Sequence, residues 1–405
     1  MTKVKSRMAL ALFSPFVLLG ACGGDDGEGT GGSGASGSPG GTGASGASGQ
    51  SGTIDVTISG EDAATDGFLF PRGSKVTFAD GWQVVFDHVL VTVDNITISE
   101  NPDKAPTDQS QTDAAVARVS GPWAVDLHRP GTVPGAGGEG LATPLVTIPN
   151  QNQNGGEPFA TDTRYAFAYD LVVASEGAAK VNFAGDAGAE EAYAQMVTAG
   201  YAVYYVGTAT FEGGAACETS DETYDFAALP TSVPFKLGFK TPTSYLNCQN
   251  QDNDGDAFAD EEYQRGIAVP ENQAATAQMT LHLEHAFYGD VEHEPAIWFT
   301  QMAAQLVGQP AGTAVMTEDL VGIDPTAITD GAGASLPWRV CDGSALPASD
   351  QMGFETGTVP VDPSKPAGEA LRDYYDYTSY VLSTLGHLNG GEGLCYVKRN
   401  YPSPP

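Results

Sequence analysis

Residues 82–99 read WQVVFDHVLVTVDNITIS, a run rich in Val, Ile, Thr and aromatic side chains and free of glycine and proline. Branching at Cβ stiffens the side chain and fits a pleated, half-buried surface better than a helix. A strand this long must find partners for its backbone groups. The chain offers them: TIDVTIS at 53–59 alternates apolar and polar, and RYAFAYDLVV from Arg164, YAVYYVGTATF from Tyr201, VPFKLGFK from Val233 and AQMTLHLEHAFY from Ala277 repeat the pattern. Clusters of Gly, Pro, Asn and Asp separate them. Many such segments and few helical ones predict a mainly β fold, an antiparallel β-sandwich over residues 53–295.

One helix is expected inside that region. DAGAEEAYAQMVTAG has Asp186 as N-cap, Glu190 and Glu191 in the first turns and Gly200 as the stop. Beyond Pro295 the composition shifts, and 296–405 is expected to be a mixed helix and loop region, packed on the same domain or beside it. AIWFTQMAAQLVG predicts one helix there. PAGEALRDYYDYTSYVLSTLGHLNGG predicts a second, with Leu371, Tyr374, Tyr375, Thr378, Leu382 and Leu385 along one face and Asn389-Gly390 as its end. Tyrosines at helical spacing read as packing residues rather than as a sugar-stacking platform. No internal repeat is visible.

The first fifty residues carry an address. Lys3, Lys5 and Arg7 precede an apolar run from Met8 to Leu19 that is too short to span a bilayer and has the layout of an export signal. It ends in Leu19-Gly20-Ala21-Cys22, which closely resembles the lipobox of bacterial lipoproteins. That resemblance implies a signal peptide of residues 1–21, cleavage before Cys22 and acylation of that cysteine, so that the protein contacts a membrane through a lipid anchor; several acyl chains are needed for a stable one. Position 23 is Gly rather than the Asp that holds lipoproteins at the inner membrane, so the outer membrane or cell surface is expected. Residues 22–52 are nearly all Gly, Ser, Ala, Thr and acid and form a flexible tether, with a root-mean-square reach of roughly 30 Å.

The whole chain has 51 acidic and 18 basic residues and a formal net charge of −33. Such a surface repels nucleic acid and anionic bilayers and favours cations. Four cysteines remain after Cys22, namely Cys217, Cys248, Cys341 and Cys395. An even number in an exported chain predicts two disulfides. They allow three pairings, of which proximity in sequence favours Cys217–Cys248 with Cys341–Cys395. No CxxC spacing is present.

Two segments carry ion chemistry. NCQNQDNDGDAFADEEYQRG places Asp252, Asp254, Asp256 and Asp260 in D-x-D-x-D-x-x-x-D spacing, which resembles the calcium loops of integrin-type repeats. A hard cation takes six to eight oxygens at about 2.3–2.6 Å. The resemblance implies side-chain ligation by the three alternate aspartates, a carbonyl from Phe258, and closure by Asp260, Glu261 or Glu262. It departs from the pattern at Ala257, where a glycine is usual.

The second segment, MTLHLEHAFYGDVEHEP at 279–295, holds His282, His285 and His293. Read as a strand, it puts His282 and His285 on opposite faces. A hairpin turn at Tyr288-Gly289-Asp290 would bring His285 opposite His293, with Glu292 or Glu294 nearby and His88 or His128 completing a copper or zinc site. The H-E-x-x-H helix of zinc proteases is excluded, because position 297 is Ile and Pro295 interrupts. No nucleophile elbow, P-loop or dinucleotide fingerprint occurs. The sequence therefore points to a tethered binding or surface module with a structural calcium site rather than to an enzyme. A copper- or zinc-handling lipoprotein and an envelope hydrolase are the alternatives.

Overall fold

The computed structural model describes residues 52–400 except 72–75, 139, 184, 215, 254–256, 259–260, 262, 292–294 and 348–370. The fold is mainly β, with two principal sheets sharing one core. The smaller, five-stranded sheet runs in the order Gly386–Leu388, Ala274–Leu281, Thr53–Ser59, Leu141–Ile148, Val133–Pro134. The larger sheet has eleven strands, with Trp82–Ser99 as its spine between Val203–Phe211 and Arg164–Leu171.

The 18-residue strand is as long as its composition demands, and its burial explains why its pattern is not a clean alternation. From Trp82 to Phe86 buried and less buried residues alternate; from Val89 to Val93 every residue is buried. Val89, Val91 and Val93 face the main core. Leu90, on the other face, belongs to a second cluster with Phe183, Ala189, Tyr193 and Met196. The helix Ala187–Ala199 supplies three of these side chains and covers that face, and a strand covered on both faces loses its polar positions. This helix forms where its caps predict: Asp186 accepts from the N–H groups of Gly188 and Ala189, and Gly200 closes it in the left-handed region at φ 74°.

Antiparallel pairing dominates, with parallel exceptions. Thr53–Ser59 runs parallel to Ala274–Leu281, with Thr53 opposite Ala274 and Ser59 opposite Thr280. This pairing brings Ser59, at the end of the first strand, beside the end of the strand that leads into His282.

In the C-terminal part the second helix is shorter than its sequence predicts. It spans Tyr374–Leu382, and the residues expected to extend it form the strand Gly386–Leu388 instead. Thr280 stands opposite His387 in that pairing. Asn389 does not stop a helix; its side chain accepts from Gln278 N–H and donates to Thr276 O and Asn250 Oδ1, fixing the strand to the sheet. Pairing with an open sheet edge outweighs the helical pattern over these three residues. Tyr374 and Tyr377 are buried and stack on one another, and the Tyr377 hydroxyl donates to Tyr288 O. The first C-terminal helix is reduced to Thr300–Ala304.

The four cysteines form two disulfides, but not in the pairing that sequence proximity favours. Cys217 is bonded to Cys341 and Cys248 to Cys395, across 124 and 147 residues. Strand pairing decides this. Glu218 stands opposite Val340 in a two-stranded ribbon, which brings Cys217 to Cys341. Leu246 stands opposite Tyr396 in the large sheet, which brings Cys248 to Cys395.

Candidate metal centre

The strand Ala274–Leu281 ends one residue before His282, whose N–H donates to Leu385 O. The chain then tightens into a 3-10 turn over Leu283–Phe287. The expected strand through Tyr288 is therefore not formed, and the consequence for the histidines is direct. Residues three apart in a 3-10 turn lie on the same side, whereas in a strand they oppose. His282 and His285 come together, with ring centroids 5.7 Å apart.

His387 on the neighbouring strand is the third member. Its ring stacks on His282 at 4.3 Å and meets His285 edge-on at 5.8 Å. One ligand nitrogen from each of His282, His285 and His387 lies within 4.8 Å of the others. His285 and His387 are buried, and His282 retains 15% side-chain exposure.

The surroundings orient the rings. His285 Nδ1 lies 2.7 Å from Thr384 Oγ1, and the Thr384 hydroxyl itself donates to Val381 O at 2.7 Å. A hydroxyl has one proton to give, so Thr384 accepts from His285 Nδ1–H, which leaves Nε2 as the coordinating nitrogen. His282 Nδ1 lies 3.3 Å from Glu284 Oε1, and its Nε2 lies 3.5 Å from Glu61 Oε2. A histidine held by a carboxylate on its distal nitrogen is the usual outer support of a metal ligand.

A cleft of about 610 Å³ opens against this cluster. Of the three histidines, His282 reaches its wall, together with Glu61, Asp62, Asp66, Glu284 and Glu392; Phe68, Leu69, Tyr288 and Pro295 form an apolar part. Three imidazoles suit zinc, copper or nickel rather than calcium or magnesium.

The other residues singled out by the sequence are placed as follows. His293, with Glu292 and Glu294, lies outside the described residues. His88 and His128 do not join the cluster: His88 Nδ1 is 2.9 Å from the buried Asp126, and His128 donates to Ala64 O. Asp254, Asp256, Asp260 and Glu262 lie outside the described residues. Asp252 is exposed, while Glu261 and Phe258 both turn to Arg265. The Glu261 carboxylate accepts from Arg265 Nε at 2.8 and 3.1 Å, and the guanidinium carbon sits 4.9 Å over the Phe258 ring. Reading the sequence alone missed His387, hidden in an apparent helix tail.

No protein-family model, curated protein or solved structure matches the chain.

Proposed function

We propose that this chain is a lipid-anchored protein of the outer membrane or cell surface that binds a transition-metal ion, zinc or copper, at His282, His285 and His387. The convergence of three imidazoles from a tight turn and an adjoining strand carries this reading. The Thr384 hydroxyl hydrogen-bonded to His285 and the Glu284 carboxylate 3.3 Å from His282 Nδ1 support it, as does an acidic cleft through which a cation can approach. The Cys22 lipobox and the Gly- and Ser-rich composition of the residues that follow it are the basis for the anchor. The acidic loop is kept as a separate, structural calcium site on the strength of its aspartate spacing.

The test is the metal content of the full chain, extracted in detergent from membranes and reconstituted with zinc or copper. One tightly held equivalent is expected, lost in His285→Ala and in His387→Ala while Asp254→Ala keeps it. A wild-type protein that retains no ion after reconstitution defeats the reading. Cys22→Ser is expected to move the protein to the soluble fraction.

An envelope hydrolase is the second reading. A ligand-sized cleft beside the cluster favours it, since a three-histidine site leaves a coordination position for water. Turnover of ester, peptide or glycoside substrates that disappears with the metal would support it.

A further inference from the structure

We infer that the cleft beside the histidines is a binding site for an organic cation, an ammonium or amidinium group carried on an apolar body. This goes beyond the metal reading above and does not depend on it.

One short segment builds two unlike walls of the cleft. The helix Glu61–Asp66 brings Asp62 and Asp66 to it, four residues apart and so on one helical face. Gly67 ends that helix at φ 75°, where an added Cβ would collide with Val84 O, so glycine is required for the chain to turn this closely onto the neighbouring strand. Phe68 then exchanges both backbone hydrogen bonds with Val84 and packs edge-on against Phe78, Phe86 and Phe287. With Leu69, Val76, Tyr288 and Pro295 it makes an apolar wall anchored in the core.

The charge of the cleft exceeds what the composition supplies. Five of the sixteen described residues that line it are acidic and none is lysine or arginine, against 51 acidic residues in the 405 of the chain. Asp62 and Asp66 form a like-charge pair at helical spacing, which costs stability unless a cation stands by them. Among the described residues, neither of them pairs with a lysine or arginine, nor do Glu61 and Glu392. Gln251, in the same lining, has a side-chain oxygen that is shut off from solvent and accepts no hydrogen bond. An N–H donor is the partner it lacks.

Size and the apolar wall decide between an inorganic and an organic cation. A volume of about 610 Å³ lies within the range of small-molecule sites, whereas a metal ion on its way to His282 needs neither that room nor aromatic and aliphatic side chains. Carboxylates beside such side chains match a ligand with a positive end and an apolar end. The same charges repel an anion, and a neutral ligand leaves them unmatched. An ammonium keeps its charge at neutral pH and offers N–H groups to carboxylates and to an amide oxygen.

The experiment is isothermal titration of phenylbutylamine into the full chain in detergent, with chelator present and at about 0.15 M salt, which screens diffuse attraction by the acidic surface. One saturable equivalent is expected. Phenylbutanol, which lacks the charge, and methylamine, which lacks the apolar body, are each expected to bind at least about tenfold more weakly. The double variant Asp62→Asn, Asp66→Asn should weaken the amine by at least about as much. Asp221→Asn removes an exposed carboxylate outside the cleft and should change nothing. Absence of saturable binding, equal affinity for the alcohol or for methylamine, or wild-type affinity in the double variant overturns the inference. Equal loss in Asp221→Asn also overturns it, because the attraction is then one of net charge. Zinc taken up at the histidines without any binding of the amine defeats this inference alone, and amine bound in chelator by a chain that takes up no zinc defeats the metal reading alone.

Discussion

Thr384 fixes the tautomer of His285: its hydroxyl proton goes to Val381 O, so it can only accept from Nδ1, 2.7 Å away. Thr384→Val keeps the branched shape and removes the acceptor. We expect metal affinity to fall about 10–100-fold, as for other outer partners of coordinating histidines. The metal-free protein should lose about 1–3 kcal/mol of stability, because the change removes two hydrogen bonds and leaves the buried His285 N–H without its acceptor. Chelator competition and chemical unfolding, run side by side, check the two numbers. Unchanged affinity would mean that this contact does not hold the ring for coordination.

The strands of this fold are legible in the sequence because one-sided burial writes itself as alternation, and the helix at Ala187–Ala199 is legible because Asp186 and Gly200 cap it. The centre is not, and particular residues say why. Whether His282 and His285 share a face depends on whether the chain is extended or coiled there, and a short apolar segment rich in strand formers fits both. The turn is made by partners far away in sequence, such as Leu385 accepting from His282 N–H. His387 sits in a segment whose helical spacing is overridden by an open edge beside Met279–Leu281. Disulfide pairing fails for the same reason, since Cys248 and Cys395 meet through strand register and not through chain distance.

Asp80 is wholly buried, and burial pushes its carboxyl above the ordinary aspartate range despite the N–H groups of Phe299 and Thr300 that donate to Oδ2 and the nearby Arg339. A carboxyl with a raised folded pKa binds its proton more tightly in the native state. Its contribution to stability is therefore complete below the ordinary value of 3.8 and is lost as pH rises through the raised value. Asn at this position keeps an acceptor oxygen and does not titrate. The melting temperature of Asp80→Asn relative to wild type should accordingly rise from acid toward neutral pH. Calorimetry across that range checks it, and a difference independent of pH would show that Asp80 does not titrate there.

Arg265 is 1% exposed at its side chain, and Glu261 is its counter-ion. The guanidinium also donates to the carbonyls of Pro102 and Ala105, at 3.2 and 3.0 Å, so it cannot leave when the carboxylate is removed. Glu261→Ala strands a buried charge and should cost about 3–5 kcal/mol. Because this role is independent of any ion, the loss should be the same in calcium and in chelator. Denaturant unfolding in both conditions measures it. A loss confined to the calcium sample would instead make Glu261 a calcium ligand.

Gly391 tests the space beside His282 without replacing a charged or coordinating residue. Its φ lies outside the left-handed region, so alanine meets no backbone penalty, and its added carbon would come 2.8 Å from His282 Cε1 and Nε2. His282 retains some exposure toward the cleft, so its ring can yield a little and the fold should survive. The ion has no such latitude, because the methyl group occupies the room beside the coordinating nitrogen. We expect Gly391→Ala to keep the wild-type circular dichroism spectrum while binding zinc at least about tenfold more weakly, the lower end of what a disturbed ligand environment costs. Isothermal titration of the two proteins gives the ratio. Equal affinities would place the ion on another side of the His282 ring, away from Gly391.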